Sequence, residues 1–246
     1  MFEYIILGIL QGIFEWIPVS SEGIVALFSN YFIKDLNAID VAIFLHLGTL
    51  LAVLIYFWKD WLDLLKFKDL QFFKFFIITT IISGAIGFFL YDFSKEIVMG
   101  GGLLALMGAG LLLTSYFQKK KIDFKLNENY SPYIVGILQG FSVIPGVSRS
   151  GSTIFGLSLF ENDPLKVLKT SYLLSAPVVF GSNLYLYLKN PDIVSQNGII
   201  ALVFAFIFGI LTLKLLLNLV KKINFSSFTF AFGILCILSA IIEYLI

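Results

Sequence analysis

The stretch Gly136-Ile137-Leu138-Gln139-Gly140, followed closely by Pro145-Gly146-Val147-Ser148-Arg149-Ser150-Gly151-Ser152-Thr153, decides the fold. It lies in an apolar run over residues 133–160 and carries a helix breaker, several hydroxyls and the only arginine of the protein. Proline and glycine interrupt a helix there. Each half of the run is too short to cross a bilayer, which takes about 20 apolar residues. The pentapeptide has already occurred once, as Gly8-Ile9-Leu10-Gln11-Gly12, 128 residues earlier. At that offset Ser20 falls on Ser148 and Gly23 on Gly151, while Pro18 and Pro145 are one residue out of register. The first copy is a run over residues 2–33, broken at Pro18-Val19-Ser20-Ser21-Glu22-Gly23. An identical pentapeptide followed by the same Pro, Ser and Gly argues for an internal duplication, residues 1–117 and 129–246, within one membrane domain of residues 1–246.

The rest of the chain agrees with lipid as its solvent. Hydrophobic residues make up 59%, charged residues only 13%, and mean hydropathy is +0.93; soluble domains carry roughly 25% charged residues. The apolar runs are continuous, unlike the ~10-residue alternating segments of a membrane β-barrel. Six are long enough to span: residues 40–58, 72–91, 97–117, 165–188, 198–220 and 228–246. The expected fold is all-α integral membrane, with six transmembrane helices plus two re-entrant helical hairpins. Non-helical backbone survives at membrane depth only where protein or a wet cavity satisfies it.

Lysine placement tests that topology. With both hairpins re-entrant, one face holds Lys59, Lys66, Lys68, Lys74, Lys119, Lys120, Lys121, Lys125, Lys166, Lys169, Lys214, Lys221 and Lys222. The other holds only Lys34, Lys95 and Lys189. Cytoplasmic loops carry the lysine excess, so both termini are expected outside, in a multi-pass protein of the cell (inner) membrane. Three crossings per unit is odd, so the second copy starts on the opposite face. That is an inverted-topology repeat, with the site expected at the repeat interface near the midplane. Met1-Phe2-Glu3-Tyr4 has no basic residue and no cleavage site follows, so no signal peptide is expected. A net charge of +1 speaks against nucleic acid. A single cysteine, Cys236, allows no disulfide within the chain and no Cys-x-x-Cys site, and is read as packing.

Arg149 stands against 16 lysines. A charge at the bilayer centre costs at least ~2.5–3.5 kcal/mol, so it needs an anionic partner or a wet cavity. Guanidinium suits phosphate through its planar fork. Ser148, Ser150, Ser152 and Thr153, with Gly146 and Gly151, supply hydroxyls and backbone N–H groups for an anion nest at a helix N-terminus. An internal ion pair of Arg149 with Glu15 or Glu22 is the other reading, and the two can coexist. Glu15 and Glu22 are the acids inside the apolar stretches, and Gln11 shares a helical face with Glu15. A carboxylate there can act as a general base or ligate a hard cation. Ser20 and Ser21 are candidates for a nucleophile at the first tip, or for helix capping after Pro18. His46, the lone histidine, is expected to bridge helices rather than to catalyse. Gly84, Gly87, Gly100, Gly101, Gly102, Gly108 and Gly110 read as close helix packing.

The first tip, Gln11-Gly12-Ile13-Phe14-Glu15-Trp16-Ile17-Pro18-Val19-Ser20-Ser21, and the second, Pro145 to Thr153, resemble the motifs of the undecaprenyl-diphosphate phosphatase family, also called bacitracin-resistance proteins. His46-Leu47-Gly48-Thr49-Leu50 is similar to the family's segment after the first tip, and the resemblance covers essentially the whole chain. It implies removal of one phosphate from a polyprenyl diphosphate, recycling the lipid carrier of cell-envelope (peptidoglycan) synthesis. It also implies divalent-cation dependence and a site open to the outer side. Many members place a histidine after Ser-Ser-x-Gly, where this chain has Ile24, and Glu22 replaces a small residue. A mechanism using that histidine cannot operate here. Glu22 then becomes a candidate base, and His46 lies far along the sequence for a substitute.

The resulting expectation is a hydrolase of a phosphoric anhydride. Arg149, Ser20, Ser148, Ser150, Gly151, Ser152 and Thr153 would bind phosphate. Glu15 would be base or ligand to Mg²⁺ or Ca²⁺, supported by Gln11; Ser21 would be nucleophile or phosphate donor; Glu22 and His46 would be auxiliary. The partners are the polyprenyl diphosphate lipid and the membrane, with a homodimer open and no nucleic acid. The rival expectation is a transporter or flippase for a phosphorylated lipid or small anion, since fold does not settle function. A structural membrane subunit gives no reason for the arginine among hydroxyls.

Overall fold

The structure, a computed structural model, describes residues 1–18, 21–32, 38–94, 101–119, 126–144, 147–191 and 196–245. Among the described residues every regular element is a helix, and there is no strand. Helices α1 (Phe2–Phe14) and α2 (Ser21–Phe32) flank the first break. They are followed by α3 (Ala38–Tyr56), the short α4 (Trp58–Leu65), α5 (Leu70–Ser94) and α6 (Gly101–Lys119). A 3₁₀ turn (Glu128–Tyr130) leads into α7 (Ser131–Phe141), and α8 (Arg149–Ser158) follows the second break. Then come α9 (Pro164–Lys189), α10 (Gln196–Val220) and α11 (Phe225–Leu245).

Local chemistry sets several starts. Asp163 caps α9 by accepting from Leu165 N, with Pro164 in the first turn, where its missing N–H costs nothing. Ser148 caps α8 through Gly151 N. Asp69 accepts from Phe72 N at the start of α5.

Among the described residues three helices are long and apolar enough to cross a membrane: Ile39–Tyr56, Leu70–Leu90 and Asn197–Val220. The other expected spans coincide with α6, α9 and α11. Of these, α9 is 26 residues long but buries Ser171, Ser175 and Asn183 and contains Pro177, so its polarity is turned inward. Large apolar side chains such as Phe89, Leu106 and Leu188 are more than two-thirds exposed, a surface suited to lipid.

Helix α1 packs along α10, α7 along α5, α6 along α11, and α3 against α9. The repeated pentapeptide explains the first two contacts. A Cβ on Gly8 would meet Ala201 O at 2.2 Å, and on Gly12 Gly209 N at 2.6 Å. On Gly136 and Gly140 it would press on Ile82 and Ile86, at 2.9 and 2.6 Å. The glycine set named from sequence divides. Gly108 and Gly110 are tight, against Gly233 O and the Phe155 ring, whereas Gly84 and Gly102 face open space and Gly87 has only Gly140 O at 4.0 Å. Close packing was the wrong reading for those three; Gly84 and Gly87 line a groove instead. Gly100 lies outside the described residues.

One end of the molecule gathers charge. Asp60, Asp63, Lys68, Lys74, Lys166 and Lys169 line a mixed-charge cavity of about 840 Å³. Lys169 pairs with Asp60 at 2.5 Å and Lys68 with Asp63 at 2.6 Å. Beside it α4 exposes Trp58, Leu62 and Leu65 at helical spacing.

Candidate active site

The two breaks come together. After α1 the chain turns through residues 15–18, and α2 begins at Ser21. Three long-range bonds hold this turn. Trp16 Nε1 donates to Gly209 O (2.7 Å), Tyr172 Oη donates to Trp16 O (3.1 Å), and Ser150 Oγ donates to Ile17 O (2.8 Å). The Trp16 and Tyr172 rings pack with centroids 5.0 Å apart, both almost fully buried. The first tip is thus fastened by α8, α9 and α10, all from the other half of the chain.

Glu15 is the hub, with only 4% of its surface exposed. Its Oε2 accepts from Gln11 Nε2 at 2.8 Å and Ser21 Oγ at 3.0 Å, and faces His46 Nε2 at 3.1 Å. Its Oε1 accepts from Arg149 Nη2. Arg149 Nη1 donates to Ser171 O at 3.2 Å. The ion pair left open by the sequence therefore forms, between residues 134 positions apart. Buried carboxylate and guanidinium require such pairing.

The hydroxyls of the second tip take different posts. Ser148 and Ser150 line a cavity together with Glu15, Ser21, Glu22, His46 and Arg149, and their Oγ atoms lie 3.0 Å apart. Ser152 and Thr153 are fully buried, bonded back to Ser148 O (2.9 Å) and Arg149 O (3.0 Å). Thr153 Oγ1 also meets Ser171 Oγ at 2.5 Å. These two buttress the first turn of α8, as does Gly151, whose N–H bonds Ser148 Oγ at 3.2 Å. Ser20, Pro145 and Gly146 lie outside the described residues. Ser171, Tyr172 and Ser142 were missed by sequence reading. Ser171 and Tyr172 lie within α9 and Ser142 caps the end of α7, with no motif to mark them, and packing alone brings them near.

His46 bridges helices, as its place as the lone histidine within a span leads one to expect. Its imidazole reaches from α3 to Glu15, 31 residues earlier in the chain, and Nδ1 is 2.7 Å from Ala42 O.

The site cavity is about 30 Å³, roughly one water molecule's share of space. It adjoins a larger groove of about 320 Å³. Glu22, His46 and Arg149 wall both; the groove continues between α5, α7 and α9 past Ile43, Phe88, Val143 and Val178, with Gly84, Gly87 and Gly181 on its sides. A polar cavity thus adjoins an apolar trough.

Mg²⁺ and Ca²⁺ take six or more oxygen ligands. Both oxygens of Glu15 are turned to N–H and O–H donors, and among the described residues no three acidic, histidine or cysteine side chains cluster to hold a metal. The residues present do not fit a cation held on Glu15. They do fit an anion: Arg149 opens α8, whose N-terminus carries the positive end of the helix dipole. Ser21, with its hydroxyl aimed at a buried carboxylate, has the geometry of an activated nucleophile.

Residues 4–242 match the family model described as bacitracin resistance protein BacA. A Methanococcoides burtonii protein named undecaprenyl-diphosphatase is 37% identical over 257 residues, covering 96% of this chain and 97% of its own. Proteins of the same name from Caldicellulosiruptor bescii and Haloarcula marismortui are 34% and 32% identical, each over more than nine-tenths of both chains. The helices are those of a multi-pass membrane protein, and the chain belongs to the bacitracin resistance protein BacA family.

Proposed function

We propose that this protein hydrolyses undecaprenyl diphosphate to the monophosphate and inorganic phosphate, returning the lipid carrier of envelope synthesis to use. The observation that carries the reading is the buried Glu15–Arg149–Ser21 cluster opening onto an apolar groove. Its chemistry agrees with the name shared by the relatives.

The prenyl tail lies in the groove and the diphosphate enters at Arg149. Arg149 exchanges part of its bond to Glu15 for phosphate oxygens, and the α8 N-terminus with Ser148 adds donors, while Ser150 stays bonded to Ile17 O. Such donors act where charge develops in phosphoryl transfer. Ser21 Oγ forms a bond to the terminal phosphorus as the anhydride P–O bond breaks. The Ser21 proton passes to Glu15 and from there to the departing monophosphate. Water then attacks the phosphoserine and gives its proton to Glu15. Ser21 recovers a proton from Glu15 as inorganic phosphate leaves. Any divalent cation the reaction uses would come bound to the diphosphate.

The same reading orients the molecule. The lysines and acids at the α4 end face the cytoplasm, and the exposed Trp58, Leu62 and Leu65 of α4 lie in the headgroup layer. Helix pairs α1–α2 and α7–α8 are re-entrant, and six helices span. The halves form an inverted repeat: α1 on α10 is answered by α7 on α5, with the pentapeptide glycines at both contacts. Both termini are external.

The test is phosphate release from undecaprenyl diphosphate by purified protein in detergent. Activity surviving both Arg149→Ala and Glu15→Ala would sink the proposal. So would lipid transport in vesicles without hydrolysis.

A further inference from the structure

We propose that His46 is the positioning residue of this site: by donating from Nε2 it fixes the Glu15 carboxylate for Ser21 and adds a second cationic group facing the phosphate. The inference rests on the diphosphatase reading above.

Hydrogen-bond bookkeeping carries it. His46 Nδ1 is 2.7 Å from Ala42 O, an atom that can only accept, so Nδ1 bears a hydrogen. His46 Nε2 is 3.1 Å from Glu15 Oε2. A carboxylate oxygen also only accepts, so against ionised Glu15 the Nε2 bears a hydrogen as well. A ring with hydrogen on both nitrogens is the imidazolium. The Glu15 carboxylate beside Nε2 is the counter-charge of that form.

The placement is specific. The Ala42 bond lies one helical turn away on α3 and holds the ring plane, leaving Nε2 aimed at Glu15. Neighbouring Thr49 Oγ1 is spent on His46 O at 3.0 Å, so it does not compete for the carboxylate. Glu15 is then gripped from four sides, by Gln11, Ser21, His46 and Arg149. When Arg149 turns to phosphate, His46 and Gln11 remain to keep Oε2 directed at the Ser21 hydroxyl. His46 also walls the groove through which the headgroup enters.

Because His46 is the sole histidine, ring-¹⁵N-labelled protein without a histidine tag gives one imidazole spectrum. Hydrogen on both ring nitrogens is expected at neutral pH, with the Nε2 signal altered by Glu15→Gln. A ring lacking the Nε2 hydrogen overturns the proposal, whatever the enzyme's activity. The kinetic arm uses two variants. His46→Ala should lower kcat about 10–100-fold, the range seen when a supporting hydrogen bond or an ångström of alignment is lost. His46→Gln, which keeps a neutral N–H donor of similar reach, should recover most of kcat while KM rises. Unchanged kcat in His46→Ala, or a His46→Gln as impaired in kcat as His46→Ala, overturns the positioning role. Wild-type protein that releases no phosphate but shows the doubly protonated ring would fail the diphosphatase reading and leave the His46–Glu15 contact standing.

Discussion

The two tips carry the same pentapeptide and do opposite work. Gln11 and Gln139 occupy equivalent places 128 residues apart, and both are essentially fully buried. Gln11 donates to Glu15, whereas Gln139 donates to Ser83 Oγ at 3.0 Å and Leu174 O at 3.4 Å. At the same offset Glu15 corresponds to Val143, and Ser21 to Arg149. The acid and the hydroxyl are on the first tip and the guanidinium on the second. Neither half contains a site, and each holds a charge it cannot bury alone. The buried pair is therefore a condition of assembly, since a lone buried charge is costly.

Several experiments bear on that division of labour. The largest effect is expected from neutralising either charge: Arg149→Gln or Glu15→Gln should reduce phosphate release by about 10³-fold or more, beyond the loss of one transition-state donor. Each should also destabilise the protein by ~3–5 kcal/mol, because its partner is left buried and unpaired. The Glu15→Gln/Arg149→Gln double variant should lose clearly less stability than the two singles together, read by thermal unfolding in detergent. Additive losses would mean that the pair does not hold the halves together.

The glutamines come next. Gln11→Leu should lower kcat on the order of tenfold, since Glu15 loses one of its fixed donors. Gln139→Leu should leave kcat near wild type and cost about 1 kcal/mol of stability, the worth of an ordinary buried hydrogen bond. Equal kinetic defects would mean that the second tip still shares the first tip's role. In the groove, Gly84→Leu or Gly181→Leu places a side chain in open space. KM for a long-chain prenyl diphosphate should rise on the order of tenfold, with little change for a short-chain analogue or in kcat. The smallest effect is expected at the charged end, where Lys68 and Asp63 are more than half exposed. Lys68→Ala should change stability by less than about 1 kcal/mol and leave hydrolysis unaltered.

Much of this protein is local and could be read along the chain. Apolar length and low charge made it a helical membrane protein, because each helix satisfies its own backbone bonds and needs no partner to be recognised. Pro18 and the Ser148–Thr153 segment marked the breaks, and Arg149 announced an anionic neighbour by being alone in lipid. The glycines show where local reading stops. Gly84 and Gly12 look alike in sequence, yet one faces a groove and the other the backbone of α10.

What the sequence determined by itself was therefore the solvent, the helices, the duplicated tips and the residue types that suit phosphate. Only the tertiary structure decided who meets whom. Glu15 reaches Arg149 across 134 residues, Tyr172 closes on Trp16 across 156, and His46 turns out to stand beside Glu15. Periodicity and composition report which face of a helix is apolar, but not which helix comes to lie against it. That choice belongs to the packing of α3, α8 and α9 around the two tips, and it alone places the lone histidine next to the one carboxylate that both halves share.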